Sequence, residues 1–307
     1  FERARRLFEE ALALADRRGA AECMMGLGLV FSEWGQYDTA RQRFEEALAV
    51  FQSLGDRQNE SECLREIGLT HWRQGAYDSA HRAFAASLDI CRAIGDRQGE
   101  AQSLNNLGMA HTARGDQQET RRCWEASVAL YRSLGLDKQA GGGLHNLGIL
   151  YAGLGNYAAA QRGLEESLAI DLATGAKSEE AISMGWLGKL HLLRGEYDDA
   201  RRRLEAAIAL DREIGGTQET LWHFAWLGAV VYETGDLAGA KAHFQEAIRL
   251  AGEQNAAMGV FQACCLIAVH LALGDGAAAL EAVRQNRTYA EMKGDASDMG
   301  AWHSMAG

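Results

Sequence analysis

The sequence predicts an all-α protein, specifically an α-solenoid of antiparallel helix pairs, and three observations lead to this prediction. Glycine recurs at a fixed interval of 40 residues through most of the 307-residue chain. Each 40-residue unit carries two apolar stripes at helical spacing. The chain has no proline, so of the two residues that commonly mark helix ends only glycine is present. Self-similarity with a fixed period of this length is typical of repeat arrays, in which each unit packs on its neighbours.

Four sets of residues recur at the same positions of successive 40-residue units, and each set is called a column. The first column is Gly28, Gly68, Gly108, Gly148, Gly188 and Gly228. The second is Gly35, Gly75, Gly115, Gly155, Gly195 and Gly235. The third is Ala40, Ala80, Ala160, Ala200 and Ala240, with Thr120 as its exception. The fourth is bulky: Phe44, Phe84, Trp124, Leu164, Leu204 and Phe244.

The third unit shows how each pair of helices is predicted. Leu104 and Leu107 lie on one face of a first helix, and Trp124 and Val128 lie on one face of a second. The turn between them contains Gly115, because glycine readily takes the positive φ that ends a helix. The other glycine column falls inside the first helix, where glycine costs about 1 kcal/mol relative to alanine. Its recurrence therefore predicts a close approach by the partner helix, with the alanine column as the opposing small contact.

The units predict one solenoid domain over residues 1–307. A half repeat covers 1–19, full repeats cover about 20–294, and a partial repeat covers 295–307. The seventh unit is degenerate, since Ala268 replaces the glycine and the turn moves to Gly274. Because the chain starts at Phe1, we expect it to be a fragment of a larger protein.

Composition narrows the classes of function. Lys and Arg total 31 against 42 for Asp and Glu, a net charge of −11, which opposes nucleic-acid binding. No apolar run is long enough to span a membrane, and no signal peptide is visible. None of the six cysteines forms a CxxC pair, so we expect reduced thiols in the cytoplasm.

The columns together resemble the tetratricopeptide repeat over essentially the whole chain. The 40-residue period is longer than the family's usual length of about 34. This long form resembles kinesin light chains, Pins-like polarity adaptors, and the sensor arms of bacterial regulators and signal-transducing NTPases. The chain departs from the family pattern in lacking the proline that usually ends the second helix, and in having His71, His111 and His191 where an aromatic is commoner.

The resemblance implies a right-handed superhelix whose first helices line a concave groove for a partner peptide or segment. Long-repeat members often carry an asparagine before the Leu-Gly pair that bonds the partner's backbone. Only Asn106 and Asn146 match that motif, and an amide suits this role because it both donates and accepts. The alternative is that these asparagines cap or bridge neighbouring repeats. The remaining residues predicted for the groove are Asn105, His145, Arg65, Glu66, Arg73, Trp186, Lys189, Trp222 and Trp226.

The tryptophans allow two interpretations, because an aromatic stripe at helical spacing belongs either to a binding surface or to the core. The histidines are too far apart in sequence for a helical metal site, and we expect neither metal nor cofactor. Paired glutamates such as Glu45 and Glu46 indicate solvated helix faces, and no catalytic motif is present, so we do not expect an enzyme.

Two functions follow as expectations. The first is a protein-interaction module, the sensor or scaffold arm of a larger regulatory protein. The second is a small-molecule sensor that controls an attached transcription-regulator or NTPase domain. The half repeats at the two ends also predict possible end-to-end self-association.

Overall fold

The computed structural model describes residues 2–216, 219–253 and 259–293, in which every regular element is an α-helix. The fifteen helices of these residues are α1 (Glu2–Leu14), α2 (Arg17–Glu33), α3 (Tyr37–Leu54), α4 (Arg57–Arg73), α5 (Tyr77–Ile94), α6 (Arg97–Ala113), α7 (Gln117–Ser133), α8 (Asp137–Gly153), α9 (Tyr157–Thr174), α10 (Lys177–Leu193), α11 (Tyr197–Ile214), α12 (Thr220–Glu233), α13 (Leu237–Glu253), α14 (Gly259–Ala272) and α15 (Gly276–Lys293). The predicted all-α class is confirmed. The partial repeat predicted at 295–307 lies outside the described residues.

The chain forms two compact units, Phe1–Leu150 and Tyr151–Gly307. In the first unit, helices α1 to α7 each pack on the next, and the first helices α4 and α6 also contact each other directly. In the second unit, α9 to α15 each pack on the next, and the first helices α10 and α12 touch in the same way. Consecutive helix pairs stacked through neighbour contacts define the α-solenoid class that the sequence predicts. No helix of the described residues is both long and apolar enough to cross a membrane.

Glycine ends the helices as expected. Gly115 has φ 77° and Gly55 has φ 69°, in the left-handed region where a side chain would be strained. Between repeats the glycine is often followed by an N-cap residue. The carboxylates of Asp56 and Asp96 accept hydrogen bonds from the backbone N–H groups of Asn59 and Gly99, respectively. The shifted turn of the seventh 40-residue repeat is also confirmed, since Gly274 has φ 74°.

In five of the first helices, the glycine of the recurring column lies against the bulky residue of the following second helix. A Cβ placed on Gly28 would come within 2.5 Å of Phe44 Cε1, and one on Gly188 within 2.6 Å of Leu204 Cγ. The same clash would set Gly68 against Phe84, Gly108 against Trp124, and Gly228 against Phe244. The predicted close approach is therefore present, and in each case the nearest atom to the added Cβ belongs to the bulky column.

Small polar side chains connect the helices inside the core, and some of these contacts recur, since Ser167 lies opposite Ser183 as Ser87 lies opposite Ser103. Ser87 Oγ lies 3.0 Å from Ser103 Oγ and donates to the carbonyl of Ser61 in the first unit. Two carboxylates are buried in the second unit. Asp171 accepts from Ser183 Oγ at 2.8 Å, and Asp211 Oδ2 lies 2.8 Å from His223 Nδ1. Buried polar groups must be paired, so each contact fixes one junction between helices.

We predict that Gly68→Leu lowers the free energy of unfolding by about 1–3 kcal/mol, because the new side chain would occupy the space of the Phe84 ring. The matched control is Gly142→Leu, at an exposed glycine inside α8 with no atom within 4 Å of its added Cβ. That variant should be neutral or gain up to about 1 kcal/mol from helix propensity. Urea unfolding followed by circular dichroism measures both, and equal effects at the two positions would contradict the packing account.

We predict that Asp211→Ala destabilises the chain by about 1–3 kcal/mol, because it removes the hydrogen-bond partner of the fully buried His223. Asp198→Ala is the control, since that carboxylate lies on the same helix, in its first turn, and is not buried. Thermal unfolding of both variants should show a clear loss for Asp211 only. A wild-type melting temperature for Asp211→Ala would show that the pair contributes nothing.

Candidate partner-binding site

In the first compact unit, three charged side chains of α4 lie close together. Arg65 Nη2 lies 3.5 Å from Glu62 Oε1, and Arg65 Nε lies 3.9 Å from Glu66 Oε1. Both Arg65 and Glu66 are half-buried, and burial is the main cause that raises the pKa of the Glu66 carboxyl, with the Arg65 charge acting in the opposite direction. The three side chains form a compact acidic cluster around a single cation.

Arg73 lies apart from that cluster, at the C-terminal end of α4. Its guanidinium donates to Ser32 Oγ at 3.1 Å, and its Cζ lies 5.9 Å from the ring centroid of Tyr37. Arg73 therefore contacts the preceding helix pair, and its charge also acts to lower the pKa of the Glu66 carboxyl.

A polar cleft of about 230 Å³ separates the N-terminal halves of α4 and α6. Its lining is Gln58, Ser61, Glu62, Arg65, Asp96, Gln98, Gly99 and Gln102. Gln58 Nε2 donates to Asp96 Oδ2 at 3.0 Å across the cleft. The glutamines of this lining, Gln58, Gln98 and Gln102, were not predicted from the sequence. Two of them could have been, because Gln98 and Gln102 precede Asn105 at helical spacing and so share its face.

The predicted amides lie on first helices with their hydrogen-bonding capacity unused. Asn106 is 8% exposed, and Asn105 and Asn146 are half-buried. None of the three side chains forms a hydrogen bond to another described residue, although Asn105 accepts from Trp124 Nε1 through its backbone carbonyl. The side-chain amide atoms of Asn106 still reach solvent, because they are not among the described atoms that are both fully buried and without a partner. These amides are therefore able to accept a further partner.

His145 directly precedes Asn146 on α8. It is half-buried, and burial lowers its pKa to about 4 because the imidazolium form loses hydration. The imidazole is consequently neutral at physiological pH.

The second unit brings the remaining four predicted residues together on α10 and α12. The ring centroids of Trp186 and Trp226 lie 5.0 Å apart in an edge-on arrangement, and Trp222 stacks on Trp226 at 6.1 Å. Lys189 Nζ lies 4.3 Å from the Trp186 centroid and 5.1 Å from that of Trp226. Trp226 is only 5% exposed and belongs to the core, whereas Trp186 and Trp222 are half-buried at its edge. We call these four residues the Trp–Lys cluster.

One of the in-phase histidines bonds across the turn that follows its helix, since His191 Nδ1 lies 2.6 Å from Glu196 Oε2. His111 Nδ1 lies 3.5 Å from Asp116 Oδ2 without forming a hydrogen bond. Within the described ranges, no group of three or more His, Cys, Asp and Glu side chains is arranged to hold a metal ion.

Family comparison identifies the class of protein. The tetratricopeptide repeat family matches residues 1–53, 35–93, 60–133, 99–173 and 179–253. These matches cover most of the chain, so the protein belongs to the tetratricopeptide repeat family.

Solved structures share the fold at low sequence identity. A STAND (signal transduction ATPase with numerous domains) protein with a tetratricopeptide repeat sensor, from Pyrococcus horikoshii, is 18% identical with a TM-score of 0.75, over 94% of this chain and 44% of that one. A Rap protein complexed with Competence and Sporulation Factor is 13% identical with a TM-score of 0.67, over 93% of this chain and 80% of that one. BtubC from P. vanneervenii is 19% identical with a TM-score of 0.62, over 71% of this chain and 93% of that one. No curated protein matches the chain. At these identities the neighbours establish the fold alone.

We predict that acidification destabilises the chain in part through His145. Its pKa is about 4 in the folded state and about 6.5 in the unfolded chain, so between these values the unfolded state binds more protons. The contribution of His145 is present above pH 6.5 and is lost as pH falls toward 4, to a total of no more than about 3 kcal/mol. Urea unfolding at pH 7.0, 5.5 and 4.5 measures this loss.

The variant His145→Phe isolates the effect, because His71, His81 and His243, whose pKa values burial also lowers, are present in both proteins. The variant should lose less stability than wild type on acidification. Parallel pH profiles would contradict the assignment.

Proposed function

We propose that the chain is a protein-interaction module that binds an extended segment of a partner protein across its first helices. It serves as the sensor or scaffold arm of a larger regulatory protein in the cytoplasm. The observation that carries this proposal is the set of amides at Asn105, Asn106 and Asn146, whose side chains form no hydrogen bond to another residue of the described ranges.

The chemistry of an extended peptide fits these amides. A peptide backbone presents alternating N–H and C=O groups, and each needs a partner when the peptide leaves water. A side-chain amide supplies both a donor and an acceptor, so one asparagine can pair with either backbone group. The amides therefore favour recognition of the backbone, which is common to all peptides.

The neighbouring cleft supplies selectivity for side chains. Its three glutamines can bind polar groups of either kind, while Glu62 and Asp96 outnumber Arg65 in its lining and favour a polar or basic side chain. Since the net charge of the chain is −11, a basic segment would also be attracted over a longer range.

The similar structures support the same class of role. The STAND neighbour uses its tetratricopeptide repeats as a sensor, and the Rap neighbour is complexed with Competence and Sporulation Factor. By analogy, we place this chain in a larger regulatory protein. The small-molecule sensor is the second candidate, and the Trp–Lys cluster is the observation that favours it.

We predict that Asn106→Ala and Asn146→Ala each weaken partner binding by about 1–3 kcal/mol, because each removes hydrogen bonds to a desolvated backbone. Capture from source-cell lysate with wild type and the double variant identifies a candidate partner. Overlapping peptides from the captured protein then locate the segment, whose affinity is measured by calorimetry.

The control is Gln42→Ala, which removes an amide from the outer face of the second helix α3, where it pairs with Glu46. This variant should bind like wild type. If the double variant keeps full affinity for the located segment, the amides do not contact the partner and have a structural role instead. If no segment binds wild type, the sensor candidate takes precedence.

A further inference from the structure

The ammonium group of Lys189 lies against two tryptophan rings, and no carboxylate of the described residues pairs with it. It lies on α10, half-buried, with its Nζ near the faces of Trp186 and Trp226. Among the described residues it forms no ion pair and no hydrogen bond. Lys177 in the same unit differs, because its ammonium is exposed and pairs with Glu213. Lys189 thus retains its hydrogen-bond donors.

Burial makes this arrangement costly for the protein on its own. A cation that loses water is only partly compensated by a ring face, which stabilises it less than full hydration does. Consistent with this, burial lowers the pKa of the Lys189 ammonium, and no neighbouring carboxylate opposes the shift. An incoming anion would restore the missing charge partner.

The rings define the rest of the site. Trp226 is buried and forms its floor, since it contacts both other tryptophans and Lys189. Trp222 stacks nearly parallel to Trp226, with an interplanar angle of 21°, and stays half-buried, so part of its surface remains available. Trp186 is likewise half-buried beside the ammonium. A flat apolar group would therefore find aromatic surface next to a cation.

We propose that the Trp–Lys cluster binds a carboxylate carried on a planar apolar group. The carboxylate pairs with Lys189, and the planar group packs against Trp222 and Trp186. A single ammonium matches a single negative charge, whereas phosphate sites typically use arginine forks or helix N-termini. The ligand is either a small aromatic acid or the C-terminal aromatic residue of a peptide. The inference concerns the second unit and does not depend on the amides of the first.

The test compares 2-naphthylacetate with its uncharged amide, 2-naphthylacetamide, by titration calorimetry of the whole chain at neutral pH. We expect the acid to bind at least tenfold more tightly than the amide. Lys189→Met should weaken binding of the acid about tenfold and leave the amide unchanged, so that the preference disappears. Trp222→Leu should weaken both compounds alike, since it removes ring surface. Lys177→Met is the matched control and should leave both affinities unchanged.

A second pair of probes distinguishes the two sources. A hexapeptide ending in phenylalanine with a free carboxylate is compared with the same peptide amidated at its C-terminus. Tighter binding of the free peptide than of naphthylacetate, with the same dependence on Lys189, assigns the site to peptide C-termini; the reverse order assigns it to small acids.

Equal affinity for acid and amide in wild type would overturn the proposal, as would no binding of the acid at millimolar concentration. A preference that survives Lys189→Met would also overturn it. Circular dichroism verifies the fold of each variant. If Lys189→Met fails to fold, Lys189→Arg and Lys189→Gln decide, because only the arginine variant should keep the preference for the acid. Asn106→Ala/Asn146→Ala should not change these affinities, which separates this result from the fate of the peptide proposal.

Discussion

The packing of a bulky side chain against a glycine inside the first helix, which occurs in five of the described repeats, is the contact on which those repeats depend. Phe44 against Gly28 and Leu204 against Gly188 show it in the two units. The missing Cβ lets a ring or a leucine reach the backbone of the first helix, and the volume thus filled holds the pair together. The glycine weakens its own helix by about 1 kcal/mol, which the buried bulky side chain offsets by about 1.5–3 kcal/mol.

This contact uses only one side of each first helix and leaves the other free to vary. In the first unit the free side carries Arg65 and Glu66, then the amides of α6 and α8. In the second unit it carries the Trp–Lys cluster. The fixed contact and the variable surface lie on one helix at different angular positions, so surface chemistry changes from repeat to repeat without altering how the helices pack.

Most of the fold could be predicted from the sequence, because the recurring columns record contacts that are the same in each repeat. Turn glycines such as Gly55 and Gly115, and the irregular one at Gly274, were all predictable from position alone. The candidate site could be predicted less well, since the burial of its side chains depends on neighbouring residues that the repeat period does not specify. Helical phase places Arg73 near Arg65 but does not show that its side chain also reaches Ser32 of the preceding helix pair. The glutamine-lined cleft was missed because it forms between two helices, and neither helix shows it alone. The bond of His191 to Glu196, five residues later, is a pairing that the period alone does not specify.

The buried carboxylates distinguish two of the described junctions from the others. Ser87 faces Ser103 and Ser167 faces Ser183, but Asp171 also faces Ser183, and Asp211 faces His223. Repeats with the same shape could otherwise dock in the wrong order while the chain folds, as happens when similar modules lie in series. A misplaced repeat would bury a carboxylate opposite a residue that cannot pair with it, at a cost of several kcal/mol. The carboxylate contacts therefore favour the correct neighbours of the two helices that carry them, which the recurring serine pair alone would not specify.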